Sequence, residues 1–312
     1  MFDLTVIGDC NVDVLVRGRD YALSFGQVEK YLDETLTCVG GSAAISAMQA
    51  AKLGLKTQLV SVVGDDLYGS WLVGQLTGAG VDCTQIATRQ GHSTGVTLCF
   101  LKGADRAMLT APGVVSSLAT RDFDLERTLS CRHIHLGSYF LNEGLHPEAV
   151  KIFETARRLG VGRSIDPNWD PNNEWDSNLL RVLPMVDYIF ANSAEVHHIF
   201  NRGHSKELGV EPFSSNQLVV EKRGDQGATL FRRGKSQLTS NWPLTVGEEI
   251  QDSIGAGDCF NSGFIFGKLM NLSDEQSLEV GCICGARSTL GHGGTGAQIT
   301  LEQLERLVEV PR

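Results

Sequence analysis

The sequence predicts an α/β fold built on a doubly wound, mostly parallel sheet, and three observations carry that expectation. From residue 131 onward, short apolar runs alternate with longer helix-like runs across brief connections. The chain opens on Asp3-Leu4-Thr5-Val6-Ile7-Gly8, an apolar strand ending at a glycine. Two segments, about 14–38 and 90–111, lack helical periodicity and interrupt the α/β pattern with strand-like alternation. With 312 residues and no internal repeat or long linker, the chain is expected to form one domain over 1–312.

Taken in order, the first strand is followed by Asp9-Cys10-Asn11-Val12-Asp13, read as polar groups at a strand's carboxyl end. Asn11 and Asp13 are two apart and point to one side of an extended segment, where open α/β sheets bind ligands; a solvated loop face accounts for the pair as well. Gly40-Gly41-Ser42 turns into an Ala-rich helix that stops at Gly54, and a strand follows over Thr57–Val63. Further strands are expected at His133–Tyr139, Gly162–Asp166, Val186–Asn192, Gln217–Lys222 and Ala228–Arg232. Helices are expected at His146–Leu159, Ser193–Phe200, Ala256–Met270 and Asp274–Leu290.

Chemistry concentrates in Asp252-Ser253-Ile254-Gly255-Ala256-Gly257-Asp258-Cys259-Phe260. Gly255, Ala256 and Gly257 form a small-residue turn into a helix, so an anion can approach N–H groups that have no intrahelical partner. An Asp N-cap on a glycine-rich turn would explain Asp258 in structural terms. The functional reading is a base that takes a hydroxyl proton while the N–H groups hold charge developing on a phosphoryl group.

The stretch resembles the D-[TS]-x-G-A-G-D-x-F signature of the PfkB (ribokinase-like) carbohydrate kinases, and 40–69 is similar to the family's G-G-x-x-x-N…G-x-D-x-x-G signature. The resemblance covers about 3–300 and implies a ribokinase-like fold whose strand-like segments 14–38 and 90–111 make a small β-sheet lid over the sugar. It implies transfer of the γ-phosphoryl group of Mg²⁺-ATP to a primary hydroxyl of a monosaccharide. Asp258 would be the base and Gly255, Ala256 and Gly257 the anion hole. Asn11, Asp13, Gly40, Gly41 and Arg106 would hold the sugar. Asn192 and Glu195 (N-x-x-E) would organise ATP and Mg²⁺, with Glu195 acting through water, and Lys222, Gly224 and Gly227 (K-x-G-x-x-G-A) would lie near the nucleotide. From the residues alone, Asn192-Ser193-Ala194-Glu195 reads equally as a helix N-cap, and 221–228 as a surface hairpin. Asp252 and the 291–296 loop could frame a K⁺ site, and the lid implies a homodimer. A nucleoside kinase with Ile45, Phe25 or Tyr139 forming a base slot, or a sensor without turnover, are the alternatives.

The sequence departs from the family twice. Ile45 stands in the Asn slot, and Asp170 replaces the Arg of D-x-N-x-R-x-x-x-W in 166–175, which counts against an acidic sugar. Gly291-His292-Gly293-Gly294-Thr295-Gly296 matches a dinucleotide fingerprint but follows a helix with too little chain after it, and Gly263–Leu269 is a P-loop look-alike inside a helix. A net charge of −10 argues against a nucleic-acid partner, no apolar run is long enough to span a membrane, and no basic leader precedes the first strand. Eight scattered cysteines without C-x-x-C pairs read as reduced thiols. A cytoplasmic protein is expected.

Overall fold

The structure, a computed structural model, describes residues 1–18, 21–22, 25–102, 105–200, 217–232, 235–245 and 247–309. Thirteen strands are described: β1 (Phe2–Ile7), β2 (Asn11–Arg17), β3 (Glu34–Gly40), β4 (Thr57–Gly64), β5 (Asp82–Arg89), β6 (Gly95–Lys102), β7 (Asp105–Ala111), β8 (Cys131–Leu136), β9 (Gly162–Ile165), β10 (Tyr188–Asn192), β11 (Leu218–Lys222), β12 (Ala228–Arg232) and β13 (Lys235–Ser240). The helices are α1 (Ser42–Lys52), α2 (Leu67–Gly78), α3 (Leu125–Thr128), α4 (Ala149–Arg158), α5 (Leu179–Val182), α6 (Ser193–Phe200), α7 (Ala256–Leu269), α8 (Asp274–Ser288) and α9 (Leu301–Glu305).

Nine strands form one sheet in the order β13-β12-β11-β10-β9-β8-β1-β4-β5. It is parallel from β5 to β11 and antiparallel only at β12 and β13. Alternation along each strand sends side chains to two cores. Leu4, Val6, Leu59 and Phe190 pack against α1, α7 and α8, while Ile7, Val60, Ile134 and Ile165 pack against α4 and its neighbours. The chain leaves β1 towards β4 on one side and returns to β8 on the other, so the topological switch point lies between β1 and β8. In open α/β sheets the crevice at that point, outside the carboxyl ends of the strands, is where ligands bind.

A second sheet, ordered β3-β2-β6-β7, stands apart from the first. Here the sequence reading needs correction. Asn11 and Asp13 do not extend the first strand; they begin β2 in this second sheet, because positive φ at Gly8 turns the chain out of β1. Between Arg17 and Glu34 the described residues form no strand, so the strand-like segment expected over 14–38 is strand only at its two ends, in β2 and β3. The helix expected at 146–159 starts at Ala149, after a 3₁₀ turn at Glu143–Leu145. Helix α2 and strands β5 and β13 were not foreseen. α2 begins where the Asp66 side chain accepts the Gly69 N–H at 2.8 Å.

The glycines of the false P-loop have a packing reason. A Cβ at Gly263 would sit 2.8 Å from Cys284 Sγ, and one at Gly267 would sit 2.8 Å from Ser277, so both allow α7 and α8 to lie close. No helix among the described residues is long and apolar enough to cross a membrane. Gly224 and Gly227, expected near the nucleotide, shape the β11–β12 turn with φ of 59° and 78°. A Cβ at Gly227 would lie 2.1 Å from Ser240 O. Gly227→Ala is therefore expected to cost roughly 2–4 kcal/mol in chemical denaturation, whereas Gly224→Ala, with open space around it, should cost less.

Candidate active site

The sheet delivers polar residues in a row. Asp9 follows β1, Ser138 follows β8, Asp166 follows β9, Asn192 ends β10 and Lys222 ends β11. Two helix N-termini meet this row. At α1, the Asp9 carboxylate accepts the N–H groups of Ser42 (3.1 Å) and Ala43 (3.0 Å). Gly41, at φ 89°, makes this turn, and a Cβ there would come within 2.7 Å of Asp9 O. At α7, Gly255 takes the left-handed conformation with φ 68° and starts the helix. The two helices are tied by Ser46 Oγ donating to Asp258 O (3.2 Å) and Ser262 Oγ donating to Ser46 O (2.8 Å).

The start of α7 has the character of an anion hole. Among the described residues the N–H groups of Gly255 and Gly257 make no backbone hydrogen bond, and that of Ala256 makes only a 3.5 Å contact to Ser253 O. Asp258 lies half-buried in the same turn. Burial, then the Asp166 charge, push its carboxyl up to about 8 against the pull of Lys222.

Lys222 supplies the positive charge. Its Nζ lies 2.6 Å from Asp166 Oδ2, and it donates to Asn261 Oδ1 at 3.4 Å. Asn261 Nδ2 donates to the same Asp166 oxygen at 2.7 Å. A Cβ on Gly257 would sit 3.2 Å from Lys222 Nζ, which places the ammonium against the anion-hole backbone. Burial disfavours ionisation of Asp166, but Lys222 and the Asn261 bond outweigh it and hold the carboxyl below its ordinary value. For Lys222, burial is outweighed by Asp166, Glu195 and Asp258, and the ammonium is held above its ordinary value. Glu195, buried, is pushed up to about 7 by burial and then by Asp166.

Asn192 and Glu195 form a reciprocal capping box on α6. Glu195 accepts from Asn192 N (2.8 Å) and Nδ2 (2.7 Å), and Asn192 Oδ1 accepts from Glu195 N (2.9 Å). The structural reading of this motif is thus present, and the cap fixes the carboxylate beside Asp166 and Lys222.

On the other side of the crevice, Asn11 Nδ2 donates to Asp13 Oδ1 at 2.9 Å and to Thr97 Oγ1 at 3.3 Å. A Cβ on Gly40 would lie 2.2 Å from Asp13 Oδ1, so the carboxylate occupies the space the glycine leaves open. Burial, then Asp9, push Asp13 up to about 7, opposed by Asn11 and Arg106. Arg106 Nη1, on β7, donates to Ser253 Oγ in the α7 loop. Asp252 links that loop to the late glycines, accepting from Ile254 N (2.9 Å) and Gly293 N (2.8 Å). The 291–296 loop therefore packs on the α7 turn, in keeping with its rejection as a dinucleotide fingerprint.

Of the three residues offered for a base slot, Ile45 and Tyr139 are 2% and 0% exposed and belong to the cores, while Phe25 is 94% exposed. Ile45 underpins the α7 turn: a Cβ on Gly255 would lie 3.0 Å from its Cγ2, and one on Gly294 would lie 2.4 Å from its Cδ1. Asp170 is likewise structural, its carboxylate accepting the N–H groups of Asn172 (2.9 Å), Glu174 (2.8 Å) and Trp175 (2.6 Å). Asp9, Ser138 and Asn261 were missed as site residues, and Asp166 was noted only as the head of a loop motif. Asp9 and Asp166, each directly after a short apolar strand, carried the positional signal; Asn261 looks like any polar residue inside a helix.

The family model for pfkB family carbohydrate kinases matches residues 1–301. The chain belongs to that family. As a PfkB-family carbohydrate kinase it is a phosphotransferase. It is 25% identical to the 5-dehydro-2-deoxygluconokinase of Bacillus subtilis, over 99% of this chain and 96% of the relative. It is 28% identical to the ATP-dependent ribose-1-phosphate kinase of Halopiger xanaduensis, over 83% of this chain and 82% of the relative. Among solved structures, the adenosine kinase of Sinorhizobium meliloti superposes with a TM-score of 0.83 at 20% identity, covering 98% of this chain and 99% of that one. The Arabidopsis thaliana ribokinase complexed with ribose and ATP gives 0.80 at 19% identity, covering 99% of both chains. These likenesses establish the ribokinase-like fold.

The Lys222–Asp166 pair should be visible in stability. Lys222→Met leaves the buried Asp166 charge uncompensated and is expected to cost about 3–5 kcal/mol in urea unfolding. The double variant Lys222→Met/Asp166→Asn should recover much of that loss.

Proposed function

We propose that this kinase transfers the γ-phosphoryl group of ATP to a primary hydroxyl of a monosaccharide. The observation that carries the reading is the α7 turn, where unpartnered N–H groups, a carboxylate and the Lys222 ammonium occupy one small volume. The sugar lies in the crevice near Asn11, Asp13, Gly41 and Arg106, covered by the second sheet as a lid. Asp258 takes the hydroxyl proton. The N–H groups of Gly255, Ala256 and Gly257 hold the charge on the phosphoryl oxygens, and Lys222 adds to that field without taking or giving a proton. ATP extends from there towards Asn192, Glu195 and the β11–β12 turn.

Among the described residues no cluster of three or more His, Cys, Asp or Glu could hold a metal ion. That suits Mg²⁺, which keeps several waters and binds through substrate phosphates and one or two carboxylates. Glu195 would hold it through water, because both its oxygens already accept from Asn192. Bound there, Mg²⁺ would neutralise charge on the ATP phosphates. Asp252, with both oxygens on loop N–H groups, serves in this reading as a tie between loops, and K⁺ has no assigned part. All eight cysteines are free thiols, which supports a reducing, cytoplasmic setting.

The lid also supports a homodimer. Register places Val14, Leu98, Phe100 and Leu109 on the sheet face opposite Asn11 and Asp13, and Leu98 and Leu109 are 38% and 58% exposed. Sedimentation should give a dimer that Leu109→Lys converts to monomer.

The decisive assay is ADP release with Mg²⁺-ATP across ketoses, aldoses, sugar acids, sugar phosphates and nucleosides. Asp258→Asn should fold and bind ATP yet lose at least ~10²-fold in kcat. In the wild type at sub-saturating substrates, kcat/KM should rise with pH through about 8, where Asp258 loses its proton. Near-normal turnover in Asp258→Asn would remove it from this role, and ATP binding without ADP release would favour a sensor.

A further inference from the structure

Asn261 is an unexpected residue for its place in α7. It is 0% exposed, within a buried run that includes Phe260, Phe264 and Phe266, and Asn is a poor helix former. A buried amide costs free energy unless its groups are hydrogen-bonded. The neighbouring Ser262 has a structural account, because its hydroxyl ties α7 to α1. Asn261 reaches elsewhere. It stands three residues after Asp258, on the same helix face, and both of its side-chain bonds go to the charged cluster of the site. Nδ2 donates to Asp166 Oδ2 at 2.7 Å, and Oδ1 accepts from Lys222 Nζ at 3.4 Å.

Those two bonds act on one ammonium. Lys222 Nζ lies 2.6 Å from the same Asp166 Oδ2, so the amide and the ammonium share a single carboxylate oxygen. The amide N–H takes up part of that oxygen's charge and weakens its hold on Lys222. The amide oxygen gives Nζ a second, neutral partner. Nζ also abuts the backbone at Gly257, where an added Cβ would lie 3.2 Å away. Lys222 is thus held between a carboxylate, an amide on α7 and the first turn of that same helix.

We propose that Asn261 is a positioning residue: it holds the Lys222 ammonium between Asp166 and the anion-hole backbone, and so sets the field in which Asp258 works. The inference rests on the reading above of Asp258 and the α7 turn. Asp258 is faced by Asp166 after β9, Lys222 at the end of β11 and Asp9 after β1, with Ser42 of α1 hydrogen-bonded to it. Glu195 of α6 and His135 of β8 face Lys222 in turn. Without Asn261, Lys222 falls back on Asp166 and the Asp166 charge is less screened. Both changes strengthen the hold of Asp258 on its proton.

The test is a double-mutant cycle. Asn261→Leu keeps the volume and removes both hydrogen bonds. It should lower kcat at least ~10-fold for the best acceptor of the ADP-release panel, with the acceptor KM within about twofold of wild type. In the Lys222→Met background the same change should alter kcat by no more than about twofold. Lys222→Met/Asp166→Asn serves as the background should Lys222→Met alone fail to fold. A second readout needs no substrate. The Asp258 carboxyl, followed by carbon-13 NMR in the free protein, should titrate at about 8 in wild type. In Asn261→Leu it should titrate higher by roughly 0.5 or more.

An equal loss of kcat in both backgrounds, a kcat close to wild type in Asn261→Leu, or an unmoved Asp258 titration makes Asn261 a packing residue and overturns the proposal. If Asp258→Asn keeps normal turnover, the base reading fails while the cycle still decides Asn261. If no acceptor yields ADP, the monosaccharide reading fails and the titration alone decides.

Discussion

One ammonium holds the centre of this molecule together. Lys222 is placed by the last position of β11, and three carboxylates from three different elements lean on it: Asp166 after β9, Glu195 at the start of α6 and Asp258 at the start of α7. Without it, the carboxyl ends of three neighbouring strands and a helix N-terminus would gather negative charge in a half-dry space. With it, Asp166 stays ionised while Asp258 is left with a raised affinity for its proton. The same pair thus organises the fold locally and leaves neighbouring acids with unequal proton affinities.

Around that centre the site is shaped as much by absent side chains as by present ones. Gly257 leaves room for the Lys222 ammonium, Gly40 for the Asp13 carboxylate, and Gly255 and Gly294 for Ile45. Ile45 shows how packing and chemistry merge. As an apolar residue in a family Asn slot it suggested a lost substrate contact, but it lies beneath the α7 turn and holds the backbone whose N–H groups face the crevice. Gln298 strengthens the arrangement by donating to Ile45 O at 2.8 Å, which pins the chain after the late glycines to α1.

Much of this was legible in the residue string. The alternation after residue 131 gave the parallel sheet, and the Asp252–Phe260 stretch located the turn that opens α7, because small residues before an apolar helical run leave a physical trace in sequence. The second sheet was harder to place. Asn11 and Asp13 look like the tail of β1, and only the turn at Gly8 sends them into another sheet. Strand β5 was hidden because its edge position lets polar residues such as Thr84 and Arg89 stand where a central strand would be apolar. Asn261 could not be found from periodicity, since its partners Asp166 and Lys222 are 95 and 39 residues away. Asp170 looked like a change in substrate recognition and proved to be a knot in its own loop; hydrogen bonds to backbone leave little mark on composition.

The contacts that close the crevice also join the two ends of the chain. Arg17 meets His292 across 275 residues, Gln49 bonds Ile299 across 250 and Arg106 reaches Ser253 across 147. Contacts of such separation close large loops and form late in folding. The parallel sheet is built from neighbouring strands, whereas the crevice is completed only by residues as far along the chain as 299. A chain that lacks these last contacts therefore has much of its framework and an incomplete crevice.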